Sequence, residues 1–180
     1  KTHMLIARQS KYKNILLVIF LAVLVGGSWY LLSQPAAPRE EGWQMFTDDV
    51  RGISFQYPEA LAAEYISATD WPPQIQILDA PFACTDAGEE SMLAGRTEKR
   101  MVDGRTYCVT TRTEGAAGSI YSLYAYAFAE GEETIILTFG VQRPQCGNYP
   151  EPERIACEAE REAFDLDSLI DRIVNTLSRS

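Results

Sequence analysis

Apolar and polar positions alternate along most of this chain, but across residues 15–32, ILLVIFLAVLVGGSWYLL, the alternation gives way to 18 positions without a charge. A helix rising about 1.5 Å per residue crosses the roughly 30 Å hydrocarbon layer in about 20 residues, so residues 14–33 are just long enough to span a bilayer. Trp29 and Tyr30 stand at the far end, where interfacial aromatic belts lie. Arg8, Lys11 and Lys13 precede the segment, whereas Arg39 beyond it is offset by Glu40 and Glu41. The positive-inside bias therefore makes residues 1–13 a cytoplasmic tail and puts the rest outside. ILLVIFLAVLV would also serve as the core of a cleaved signal peptide, yet SQPAAP offers no clean small-x-small cleavage pattern, which favours an uncleaved signal anchor. Residues 34–42 are rich in proline and charge without apolar periodicity, and read as a linker.

From Trp43 onward the period is 2. Ile53, Phe55 and Tyr57 alternate with Ser54 and Gln56, the pattern of a half-buried strand that Pro58 ends. EALAA, residues 59–63, predicts one helical turn, EYISAT a second strand, and QIQIL after the WPP turn a third. Residues 80–95 have no period and are expected to form a surface loop tied down by Cys84. EKRMV and RTYCVTTRT flank Asp103-Gly104, a dipeptide suited to the two positive-φ positions of a type I′ turn. IYSLYAYAFA and TIILTFGVQR flank the acidic turn EGEE, so the centre of the domain reads as an antiparallel meander.

Near the carboxy terminus the period shifts to 3.6. Glu151–Ala163 is rich in helix formers, and Leu166, Leu169, Ile170, Ile173, Val174 and Leu177 form one apolar stripe that Asp165 is placed to cap. That stripe must be buried against the sheet, and Ala125 and Ala127 beside Leu123 mark a face that would let a helix approach closely. The fold class is α+β: an antiparallel meander sheet covered by helices, in one extracytoplasmic domain over residues 43–180.

Charge and cysteine change the picture in two ways. Residues 43–180 hold 11 Lys and Arg against 23 Asp and Glu, a net charge of −12 that repels nucleic acid and excludes it as a partner. All four cysteines, Cys84, Cys108, Cys146 and Cys157, lie on the exported side, where an even count favours two disulfides. Cys146 and Cys157 enclose the shortest loop and are expected to pair, which leaves Cys84 with Cys108. Zinc is disfavoured, because the spacing contains no C-x2-4-C knuckle.

RGISFQYPE is similar to the opening of PsbP-like domains, and DLDSLIDRIVNTL resembles their closing helix. The stretches YCVTTRTEGAAGSIYSLYAYAF and PQCGNYPEPERIACEAEREAFDLDSLIDRI resemble a membrane-anchored, exported bacterial protein family that carries no known activity. The first resemblance implies an α/β/α sandwich around an antiparallel sheet and a non-catalytic accessory or binding role.

Candidate chemistry is sparse. The single histidine, His3, precedes the span, so no imidazole is available outside for a catalytic triad or a histidine-ligated metal. Lys99 sits between Glu98 and Arg100 on a strand, where an exposed charged face is the simpler reading than a Ser-Lys dyad. With 23 acids some pair will fall at the roughly 5–9.5 Å spacing of glycoside hydrolysis, but nothing in the sequence selects one. Asp86, Glu89 and Glu90 offer oxygen ligands without the alternating spacing of a calcium loop, and EGAAGS, residues 114–119, lacks the GK[ST] of a phosphate cradle. Tyr124, Tyr126 and Phe128 share one strand face, with Tyr121 on the other; exposed, the row would stack on a ligand, and its more usual place is the core. The expectation is a non-catalytic, membrane-tethered interaction or ligand-binding module of the bacterial cell envelope. It would engage the lipid bilayer through residues 15–32 and an envelope protein or small ligand outside, with no cofactor, metal or catalytic residue assigned. The rival is a glycan-directed hydrolase using paired carboxylates.

Overall fold

The structure, a computed structural model, describes residues 42–88 and 95–179. The expected span at residues 14–33, and the linker apart from Gly42, lie outside the described residues. Among those described, no helix is long and apolar enough to cross a membrane.

Alternation becomes strand in β1 (Trp43–Asp48), β2 (Ile53–Pro58), β3 (Ser67–Ala68), β4 (Gln74–Leu78), β5 (Arg96–Val102), β6 (Arg105–Ala116), β7 (Ser119–Glu130) and β8 (Glu133–Pro144). Helices α1 (Glu153–Ala163) and α2 (Leu166–Asn175) follow, and β9 (Ser178–Arg179) closes the chain. β5 to β8 are consecutive antiparallel neighbours, the expected meander, and β3 and β4 both line the outer edge of β8. β1, β2 and β9 make a separate three-stranded sheet. The turn at Asp103 and Gly104 has φ of 46° and 87°, as type I′ demands. EGAAGS is not an open connection: β6 runs on through Ala116, and only Ala117 and Gly118, both at positive φ, make the turn.

α2 does not cover the alanine face. Tyr107, Val109, Tyr126, Phe128, Ile135, Leu137 and Phe139 point the other way, and each is 0% exposed in one core with Ile170 and Ile173 of α2 and with Ile53 and Phe55 of β2. Burying an apolar side chain of this size contributes on the order of 2–3 kcal/mol, against under about 1 kcal/mol for an alanine methyl. The bulky side therefore outweighs the close approach that Ala125 and Ala127 would permit.

α1 is fixed by one local and one long-range link. A disulfide joins Cys146 to Cys157, and the Glu160 carboxylate accepts hydrogen bonds from the backbone N–H of Glu64 and Tyr65, both 2.7 Å. Residues 59–63 form no helical turn; Ala62 lies at φ 52°, outside the helical region, and Leu61 drops into the core. On the second face of the large sheet the described residues place a strap, not a helix. Ala80 O accepts from Thr134 Oγ1 at 2.9 Å, Cys84 is bonded to Cys108, and Ala87 exchanges backbone hydrogen bonds of 3.0 and 2.7 Å with Thr97. The described residues thus form mostly antiparallel sheet with two helices, the expected α+β class.

Candidate functional site

The aromatic row is not an exposed ligand face. Tyr124, Tyr126 and Phe128 are 8%, 0% and 0% exposed under α2, and the hydroxyls of Tyr107 and Tyr126 serve to dock that helix. Tyr126 Oη donates to Asp167 Oδ1 at 2.5 Å, where Arg100 also donates at 2.9 Å. One helical turn later Tyr107 Oη donates to Asp171 Oδ1 at 2.5 Å, and Asn175 Nδ2 donates to Asp171 Oδ2 at 2.9 Å. Burial first, and the hydrogen-bonded carboxylate second, hold both phenols well above the ordinary tyrosine range, so they remain protonated donors. Beside this network a cleft of about 510 Å³ separates the α1–α2 corner from the sheet. All of its charged groups except the exposed Glu162 are engaged. Arg100 bonds Glu98 and Asp167, Asp165 accepts from the Ser168 backbone N–H at 3.0 Å, and Arg143 donates to Tyr124 Oη at 3.0 Å while lying over its ring.

The opposite face holds a different cavity, about 470 Å³, where Thr113 Oγ1 and Ser122 Oγ share a hydrogen bond of 3.1 Å and the charged groups are exposed. It begins with a glycine. Register aligns Arg112 on β6, Leu123 on β7 and Gly140 on β8 in one row, with Glu114, Tyr121 and Gln142 in the next. Because Gly140 has no side chain, the segment after β3 can fold down over β8: Thr69 N–H donates to Gly140 O at 2.9 Å. A Cβ at position 140 would sit 3.0 Å from Asp70 Oδ2 and collide with Thr69 Oγ1. Asp70 is thereby held over one wall of the groove. Arg112 and Glu114 form the other, and Tyr121 and Leu123, the latter 47% exposed, line the floor. Strands about 4.8 Å apart put the backbones of Arg112 and Gly140 about 10 Å from each other. Among the described residues Arg112 has no hydrogen bond or ion pair, and Asp70 and Glu114 are exposed.

Sequence reasoning touched Tyr121 as the residue opposite the aromatic row, Leu123 beside the alanine face and Glu114 within EGAAGS, but it singled out neither Arg112 nor Asp70. The available signal was Gly140 itself, since a glycine inside a strand such as TIILTFGVQR often marks a close approach by another backbone. The other sequence candidates resolve simply. Asp86 Oδ1 accepts from the Lys99 backbone N–H at 2.7 Å, Glu89 and Glu90 lie outside the described residues, and Lys99 is exposed on the edge strand β5. The cysteines form Cys84–Cys108 and Cys146–Cys157, the expected pairing, and no described cysteine is free. Compared with protein families and with curated proteins, the chain matches none.

Proposed function

We propose that this chain is a non-catalytic, membrane-tethered module of the bacterial cell envelope, with a domain outside that binds a small ligand or partner in the open-face groove. One contrast carries the reading. Among the described residues no buried side-chain polar atom lacks a hydrogen-bond partner, whereas Arg112, Asp70 and Glu114 are unsatisfied by protein and converge on one concavity. Pockets that hold small ligands typically combine apolar lining with a few convergent polar groups in this way. Placement outside the membrane is supported by the charge-free run at 15–32, its basic leading flank and the two disulfides, which persist in oxidising compartments. A PsbP-like identity is supported by β2 as the opening motif and α2 as the closing helix, and would fit a binding role.

One observation favours the rival reading. Asp70 and Glu114 line the same groove beside Tyr121, as a glycan hydrolase with paired carboxylates would arrange them. Both carboxylates are exposed in similar surroundings, however, whereas hydrolases hold their acid and base in contrasting ones. The deciding experiment incubates the full chain in detergent with oligosaccharides and small peptides while following thermal stability and product release together. A compound that raises Tm and is recovered unchanged supports the binding module. Release of a shortened glycan, abolished by Asp70→Asn or Glu114→Gln, would establish the hydrolase instead.

A further inference from the structure

We infer that the groove takes a short peptide with both ends free, two or three residues long, with its carboxylate on Arg112 and its ammonium on Asp70. This rests on the ligand-binding reading and adds the chemistry of the ligand. Three observations converge on it.

The first is charge placed without partners. A guanidinium offers a planar fork that matches a carboxylate with two parallel hydrogen bonds. The region from residue 43 onward carries 23 acids, yet Arg112 pairs with none of those described, although Glu114 stands two positions along the same strand face and Asp70 across the groove. A wholly anionic ligand brought to Arg112 would meet Asp70 and Glu114, and a wholly cationic one brought to Asp70 would meet Arg112. A dipolar molecule satisfies both walls at once.

The second is span. The row from Arg112 across Leu123 to Gly140 covers two strand spacings, about 10 Å, and Asp70 is held over its far end. An extended peptide advances about 3.5 Å per residue, so two residues separate the termini by about 7 Å and the Arg112 side chain closes the rest. The third is the floor. Leu123 and Tyr121 lie between the charged walls, where apolar side chains of the ligand would rest, and a volume of about 470 Å³ falls in the range of small-molecule sites, roughly 300–1,000 Å³.

The test is isothermal titration of the full chain in detergent with L-alanyl-L-leucine and other dipeptides of varied side chain, the N-acetylated and C-amidated forms of each, and maltose as a neutral sugar. Free dipeptide is expected to bind, and blocking either end to weaken binding about tenfold or more, the loss of one charge-assisted interaction. Arg112→Gln should weaken the free dipeptide but erase the difference between free and amidated forms. Asp70→Asn should erase the difference between free and acetylated forms. Equal affinity of free and blocked peptides, discrimination that survives both substitutions, or binding of maltose instead of any dipeptide would overturn the inference and leave the ligand-binding reading intact. Absence of binding by every probe, with both disulfides formed and a cooperative unfolding transition, would overturn the inference and remove the chief support for that reading as well.

Discussion

Val109, Tyr126 and Leu137 lie in one row across three neighbouring strands and are each 0% exposed; one position along, Thr110, Ala125 and Thr138 form the adjacent row on the other face, and all three stay partly open to solvent. The backbone of the two rows is the same ladder. Only side-chain volume and polarity differ, and they divide the labour of the domain. On the aromatic face, the buried hydroxyls of Tyr107 and Tyr126 are tied to Asp171 and Asp167 of α2. On the other, a strap crosses one part and a groove whose Arg112 has no ion pair among the described residues occupies another. A sheet with one filled face and one open face can devote the first to stability and leave the second for recognition, because period-2 alternation makes the two independent.

The comparison breaks most visibly if the faces prove equally important to stability. Tyr126→Ala should destabilise the domain by about 3–5 kcal/mol, since it opens a cavity and strips Asp167 of a buried donor. Leu123→Ala on the open face should change stability by no more than about 0.5 kcal/mol. Urea unfolding of the two variants decides it, and comparable losses would refute the division.

A smaller effect separates the two disulfides. The chain-entropy argument gives each roughly 3 kcal/mol, as they close loops with sequence separations of 24 and 11. Replacing Cys84 and Cys108 by alanine should raise amide hydrogen exchange in residues 79–88, which the bridge pins to the open face, and leave the central strands β7 and β8 protected until global unfolding. Replacing Cys146 and Cys157 should instead loosen α1. Identical exchange patterns in the two variants would mean that the faces do not open separately.

The smallest effect concerns the covering helix. Asp165 caps α2, its carboxylate accepting from both the backbone N–H and the hydroxyl of Ser168, 3.0 and 2.7 Å. Asp165→Ala should cost about 1 kcal/mol near neutral pH. The backbone hydrogen bond first, then the hydroxyl, holds the folded carboxyl below its ordinary value, so the cap contributes fully above the unfolded value near 4 and is lost as pH falls through the depressed one. The gap between wild type and variant should therefore close in acid. A gap that persists there would mean that the substitution acts through packing of α2 rather than through its cap.

Much of the architecture was legible one segment at a time. The alternation of Ile53, Phe55 and Tyr57, the Asp103-Gly104 turn and the stripe from Leu166 to Val174 are local patterns, and each became the strand, turn or helix it described, with Leu177 falling just beyond the helix end. The short interval from Cys146 to Cys157 constrained the disulfides in the same manner. What could not be read was which residues distant in sequence meet. Tyr126 and Asp167 are 41 positions apart, Tyr107 and Asp171 are 64 apart, and no periodicity relates them. Nor does alternation say which of two faces a helix will choose: it marks Ala125 and Tyr126 as opposite, and only the apolar area available to α2 decides between them. The groove is the extreme case. Arg112 and Asp70 are unremarkable in the chain and Gly140 signals only a close approach; they line one groove because strand register aligns Arg112 with Gly140 and the missing side chain of Gly140 lets Asp70 descend onto the sheet. The sequence by itself determined most of the elements, the charge and the absence of an imidazole from residue 43 onward; their faces and neighbours were decided only by tertiary structure, since burial and register are properties of many strands packed together and of no single segment.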